Sequence, residues 1–316
     1  MAPGKAFLSS EEIRPLAERS DAKGAWLVLH CWGVILLSVA LFGLWPNPLT
    51  FLVAVVLIGS RQLGLAILMH EAAHNALFRT REISDFVGEW LCGRPILAEL
   101  SAYRHYHLTH HRFTQTEKDP DLVLSSKFPT SHASLKRKFT RDLTGQTGAK
   151  QLFGQIMMSF QLAGDEDAMK AAASDFAQSF KAPHLWKSLP VFLGIILAMG
   201  VIGDWWWGLA FWLLPYLTWF QFVLRVRNIA EHGATEQSED PLRNVRTTHA
   251  GPIARTLVAP YWVNYHLEHH MIMHVPCYNL PKMHQALVDK GIGQQMKTAA
   301  NYGQALREAG WRSARI

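Results

Sequence analysis

Apolar residues gather into four long runs, at residues 24–45 (GAWLVLHCWGVILLSVALFGLW), 49–69, 186–202 and 205–226. Each run approaches the roughly 20 residues that a helix needs to cross a bilayer, the third being the shortest. WPNP (45–48) joins the first two and IGDW (202–205) the last two. Pro, Gly, Asn and Asp suit such tight turns, so the runs predict two helical hairpins. Trp45, Trp205, Trp206 and Trp207 fall where an interfacial aromatic belt would lie. The two turns carry no Lys or Arg, whereas the N-terminal segment has Lys5, Arg14, Arg19 and Lys23 and the segment 71–187 is rich in both. The positive-inside rule then places both termini and the central segment in the cytoplasm.

The expected architecture is an all-α integral membrane protein of a single domain, 1–316. Four transmembrane helices stand under a helical cytoplasmic cap built from 70–185 and 227–316. Within the cap, the mixed pattern of 83–107 predicts one interfacial helix. The acidic start of 164–180 predicts another, capped near Asp165, and 140–150 (TRDLTGQTGAK) reads as a loop.

Composition agrees: 49% of the 316 residues are hydrophobic and only 18% charged, too apolar for an ordinary soluble enzyme. The net charge of +6 fits contact with anionic lipid. No basic motif with interleaved aromatics points to nucleic acid. Cys31, Cys92 and Cys277 stand singly, which argues against a disulfide framework or a thiolate metal site. The N-terminal stretch lacks the apolar core of a secretory signal.

Against this background the histidines stand out. HEAAH spans 70–74, HYHLTHH 105–111 and HLEHH 266–270. On a helix, positions i, i+3 and i+4 share a face. His70 and His74 have the i, i+4 spacing; His107, His110 and His111 have i, i+3, i+4; His266, His269 and His270 repeat it. RNIAEHG (227–233) adds Asn228 and His232 at i and i+4. The predicted topology brings all of these to one membrane face. Nine imidazoles exceed one ion's needs but suit two, with four or five each, and imidazole accepts iron, zinc, copper or nickel. The isolated histidines His30, His132, His184 and His249 read as interfacial polar groups. His105 points off the His107 face, and His274 and His284 are supporting candidates.

These motifs resemble the membrane-bound fatty acid desaturase and hydroxylase family. HEAAH, HYHLTHH and HLEHH are similar to its three histidine boxes. FTQTEKDPD (113–121) resembles the continuation after the second box, VPCYNLPKMH (275–284) the tail after the third, and NIAEH its Asn-x-x-x-His element. The resemblance covers roughly residues 49–284. It implies a four-span bundle whose cytoplasmic cap holds two non-haem irons, using O2 and two electrons to desaturate or oxygenate lipid C–H bonds. It implies His70, His74, His107, His110, His111, His232, His266, His269 and His270 as ligands, with Asn228 acting through a water. Glu71, Asp119, Asp121, Glu231 and Glu268 are then candidates for orienting the imidazole N–H groups. Three residues between the histidines of the first box resemble enzymes acting on acyl chains of complex lipids. No cytochrome-b5-like HPGG segment is present, so a separate ferredoxin or cytochrome b5 type donor is expected. The leading expectation is a lipid desaturase, with a lipid or carotenoid hydroxylase or ketolase on the same scaffold as the alternative.

Two other readings compete. HEAAH fits the HExxH zinc-protease motif, with Glu71 as general base, but that leaves the other clusters unexplained. A metal transporter would place its ligands near the bilayer midplane, whereas these lie at span ends. Arg61 and Gln62, polar within an apolar run, are read as bordering a substrate path.

Overall fold

The computed structural model describes residues 6–159 and 185–310. Among them are four helices long and apolar enough to cross a membrane, as the runs foretold. After a short α1 (Ser10–Leu16), they begin with α2 (Asp21–Leu44) and α3 (Pro48–Ala73). The WPNP turn works through its side chains. Asn47 Oδ1 accepts the amides of Leu49 and Thr50 at 3.0 and 3.1 Å, and Pro48 fills the first helical turn, where no amide is needed. At 1.5 Å per residue the 26-residue α3 is about 39 Å long, more than the bilayer core requires. Its last turn therefore stands clear of the apolar layer and carries His70 to the cap.

α3 is also the central helix, buried along 72% of its apolar window against 33% for α2. The outer helices keep large apolar side chains on the surface, such as Leu37 on α2 and Val201 on the third span. Lipid replaces protein there. Trp45 and Trp205 are exposed at the span ends, whereas Trp206 and Trp207 turn inward and meet Phe42 edge-on.

The cap departs from expectation in two places. Residues 83–107 are not one helix. α4 (Arg81–Val87) passes into a π turn (Gly88–Gly93) and a 3-10 turn (Arg94–Ile96), Leu97 takes φ 60°, and α5 (Leu100–Phe113) starts afresh. Pro95 removes an amide from the ladder, and Gly88 packs on Ala72 where a side chain would collide. The break reverses the chain so that α5 returns across the end of α3. Residues 140–150 are not a loop either. After α6 (Leu122–Ser125), α7 (His132–Leu143) and α8 (Gln146–Ser159) leave only Thr144 and Gly145 between them. Gly145, at φ 78°, is a helix-terminating position that glycine fills without strain. The helix expected at 164–180 and His184 lie outside the described residues.

The second hairpin is α9 (Leu185–Ile202) and α10, 209–232, which opens with a π turn (Leu209–Leu213). α10 runs six residues beyond the apolar stretch, which puts Asn228, Glu231 and His232 on the span itself. Buried Arg246 holds this end: its guanidinium donates to the Ala230 carbonyl at 3.0 Å and its amide to the Glu231 carbonyl at 2.8 Å. The chain continues through α11 (Pro252–Leu257), α12 (His266–Met271), α13 (Leu280–Asp289) and α14 (Tyr302–Ala309). A two-residue parallel pairing of Thr247–Thr248 with Thr298–Ala299 ties the ends of this segment together.

Cap and bundle are joined by Asp142 on α7. It is fully buried and takes Arg225 of α10 in a two-pronged bond of 2.5 and 3.0 Å. Asp142→Ala leaves the guanidinium without its partner and is expected to cost on the order of 3 kcal/mol. The check is the thermal midpoint of the detergent-solubilised protein; an unchanged midpoint would contradict this role.

Candidate metal centre

Four helix ends meet beneath the cap: the last turn of α3 with His70 and, at its C-cap, His74; α5 with His107, His110 and His111; the last residue of α10, His232; and α12 with His266, His269 and His270. All nine imidazoles are buried except half-buried His111. They divide into two groups. Ring nitrogens of His70, His74, His107, His111 and His269 all lie within 4.8 Å of one another. His110, His232 and His270 form a second set, which His266 joins through His232.

The division runs through the motifs rather than between them. In α5, His107 and His111 serve the first group and His110 the second. In α12, His269 serves the first while His266 and His270 serve the second. His111 and His270 stack at 4.1 Å between the two groups.

The nitrogens face one another. His111 Nε2 lies 2.9 Å from His107 Nε2 and 3.1 Å from His269 Nε2. His266 Nε2 lies 2.8 Å from His232 Nε2 and 3.1 Å from His270 Nε2. Two nitrogens each about 2.1 Å from one ion, at a right angle, would be about 3.0 Å apart. Buried His70, His74 and His110 each present an Nε2 with no partner. Such orphaned atoms are costly unless a cation satisfies them, so the donor set fits two metal ions.

Protonation points the same way. Burial, reinforced by neighbouring imidazoles, pushes His107, His111, His266, His269 and His270 well below the usual value of 6.5. Burial and the Arg104 charge bring His74 down to about 3. These rings are neutral and offer lone pairs. His110 differs: burial opposes its charge, but Asp121 and Asp119 outweigh it and raise the ring's pKa.

The second nitrogen of each ring has fewer partners than the sequence suggested. His110 Nδ1 donates to Asp119 Oδ1 at 2.7 Å, and Asp119 is itself fixed by the amides of Gln115 and Asp121. Asp121 accepts from the Tyr106 hydroxyl and lies 3.6 Å from His110 Nδ1. Glu71 Oε2 accepts the Cys277 amide at 2.8 Å, while Oε1 lies 3.5 Å from His70 Nδ1. Glu231 is held by Arg227 at 2.7 Å, and its other oxygen lies 3.6 Å from His266 Nε2, the inward-facing nitrogen. Glu268 bonds Thr247 and, at 2.5 Å, His284; the ring it orients is His284.

Three contributors went unnoticed in the sequence. Thr114 donates to the His110 carbonyl at 2.8 Å and so can accept from His270 Nδ1 at 3.2 Å. Its position four residues after His110 was the available signal. Tyr103 stacks on His107 at 5.1 Å, one turn before it. Arg227 fixes Glu231 from the preceding turn of the same helix.

Asn228 lines a cavity of about 50 Å³ together with His110, His232, His266 and Glu231, enough for a water. A larger cavity of about 600 Å³ reaches His111 and His270 from the polar side, past Arg112, Lys118 and Glu239. Of the remaining histidines, His105 and His249 are exposed, and His30 pairs with the Tyr261 hydroxyl at 3.2 Å. Gln62 donates to the Trp212 carbonyl at 2.9 Å. Arg61 borders a separate pocket.

Two consequences can be measured. Asp119→Ala removes the acceptor that fixes His110 and should weaken one of two bound metals about 10–100-fold; metal analysis after graded chelation tests this, and unchanged release would contradict it. In the metal-free protein, six rings have folded pKa values below their unfolded value, so the unfolded chain binds more protons under pH ~6.5. Stability is therefore lost as pH falls from about 6.5 toward 3, with His110 acting in the opposite sense. A thermal midpoint that rises on acidification would contradict this assignment.

The sequence also has recognisable relatives. The chain is 26% identical over 310 residues to dihydrorhizobitoxine desaturase of Bradyrhizobium elkanii, covering 92% of this chain and 81% of that protein. It is 23% identical over 264 residues to a beta-carotene ketolase of Paracoccus sp., covering 81% and 86%. An sn-1 oleoyl-lipid 12-desaturase of Synechocystis sp. is 26% identical over 252 residues, covering 72% and 66%. The fatty acid desaturase family model matches residues 45–295. That span contains all nine converging histidines and the last three of the four membrane helices, and the chain belongs to the fatty acid desaturase family.

Proposed function

We propose that the protein is an O2-dependent di-iron desaturase that places a double bond in the acyl chain of a membrane lipid. The observation that carries this reading is the division of nine imidazoles, all but His111 buried, into groups of five and four at the membrane face. His70, His74, His107, His111 and His269 would hold one iron, and His110, His232, His266 and His270 the other, with Asn228 acting through a water in the small cavity beside it. Bound there, the irons would supply the O2 chemistry that an unactivated methylene requires and no side-chain acid or base can provide.

The protein's own part is positioning. Asp119 and Thr114 keep the protons of His110 and His270 on Nδ1, so that Nε2 stays free. Glu231 and Asp121 border the cavity beside Asn228, within reach of any water held there. Glu71 Oε2 accepts the Cys277 amide, and the protease reading leaves most of the gathered histidines without a role. Each turnover would remove two hydrogens from adjacent carbons and reduce one O2 to two waters. This needs two further electrons and two protons. A donor of ferredoxin or cytochrome b5 type would deliver the electrons; a relative among the lipid desaturases carries ferredoxin in its name. The active site and both termini would face the cytoplasm.

A second reading has one specific support: a beta-carotene ketolase is among the relatives. Lipid mass spectrometry of a host co-expressing a donor separates the two. A lipid lighter by two hydrogens, absent with His107→Ala, is the expected result. A product gaining oxygen would assign oxygenation instead, and identical lipid profiles despite a loaded metal centre would overturn the acyl-lipid substrate.

A further inference from the structure

Arg61 has no role at the histidine centre, yet it is a guanidinium in the middle of a membrane span. It lies nine residues before His70 on α3, about 13.5 Å away along the helix. Its side chain is only 3% exposed. The guanidinium donates to the Thr256 carbonyl, sits 5.7 Å from the centre of the Tyr261 ring, and leaves Nε without a partner. Among the described residues, no carboxylate pairs with it. An arginine cannot shed its charge. A buried cation in a membrane helix without a counter-ion is expensive and marks a functional position.

A pocket opens beside this charge. It has a volume of about 290 Å³ and is bordered by Trp26, His30, Arg61, Arg255, Tyr261 and Trp262. The walls thus hold two guanidinium groups, an imidazole and three aromatic rings. Tyr261 and Trp262 both take positive φ, 55° and 57°. Bulky residues rarely adopt that conformation, and it persists where surrounding structure imposes it, as at ligand clamps. Apolar residues lie beside the pocket: Trp26 in its wall is 65% exposed, and Leu29 of α2 and Ile253 of α11, close to lining residues in sequence, are 67% and 78% exposed. The volume admits a polar head with its first carbons, not a whole lipid. Charge, size and rim together describe a ligand with an anionic head and an apolar tail, entering sideways from the membrane.

We propose that this pocket binds the anionic head of a membrane amphiphile, a phosphate or carboxylate taken by Arg61 and Arg255, while its tail lies along α2. Guanidinium groups match both kinds of oxygen anion, and the net positive charge of the chain suits an anionic leaflet. The site does not depend on the reaction proposed above, so either can fail alone.

The test uses delipidated full-length protein in neutral detergent. Phosphatidylglycerol, oleate, phosphatidylcholine and inorganic phosphate are titrated separately, with adducts counted by native mass spectrometry and the thermal midpoint followed in parallel. One phosphatidylglycerol or one oleate should be retained, the tighter of the two assigning a phosphate or a carboxylate, and phosphatidylcholine should be held less well. Arg61→Gln should weaken retention about tenfold, the loss of a charge-assisted bond. Arg255→Gln alters an exposed side chain, so the fold should persist while retention falls severalfold. Equal retention of phosphatidylglycerol and phosphatidylcholine by the wild type, or undiminished retention in Arg255→Gln, would overturn the proposal. So would stabilisation by inorganic phosphate equal to that by phosphatidylglycerol, because the site would then read a free anion.

Discussion

Nine imidazoles gathered nitrogen to nitrogen, all but His111 buried, form an arrangement that a protein cannot hold cheaply by itself. Lone pairs repel across about 3 Å, and burial forbids the protons that would turn every contact into a hydrogen bond. Two cations placed among these nitrogens convert the cost into binding. The rest of the fold follows from this demand. Four helices must end at one level, and each must aim its last turn inward.

The membrane provides the level. α3 exceeds the thickness of the apolar layer, so its final turn emerges beneath the cap, and α10 continues six residues past its apolar stretch for the same reason. Arg246 then caps α10 through the Ala230 and Glu231 carbonyls and fixes where His232 points. The broken region between α4 and α5 turns the chain back over α3, which brings His107 and His111 to His70 and His74. Metal site and bundle are therefore one construction: α3, the most buried span, carries His70 on its last turn.

Much of this was legible in the residues. Apolar runs of near-spanning length located all four membrane helices, helical spacing within the three clusters singled out eight of the converging histidines, and the spacing of Asn228 and His232 added the ninth. The partition between two groups was not legible. Helical spacing says that His107, His110 and His111 share a broad face, but only the crossing angle of α5 decides which of two centres each ring serves. The carboxylates were hardest to place. Asp119 meets His110, whereas Glu268, on the same short helix as three of the gathered histidines, holds His284. Thr114 escaped notice because a hydroxyl's role depends on a partner 156 residues away. The helix break at Gly88–Ile96 and the helix pair around Gly145 were misjudged where single glycines and a proline carried the signal against longer runs of neutral propensity.

The most direct measurement is the metal content of the purified full-length protein alongside its His74→Ala and His270→Ala variants. The arrangement requires two metal ions per wild-type chain, with each variant keeping one, since the two rings serve different groups. One ion in the wild type, or the loss of both from either variant, would contradict a centre built from two independent sets of imidazoles.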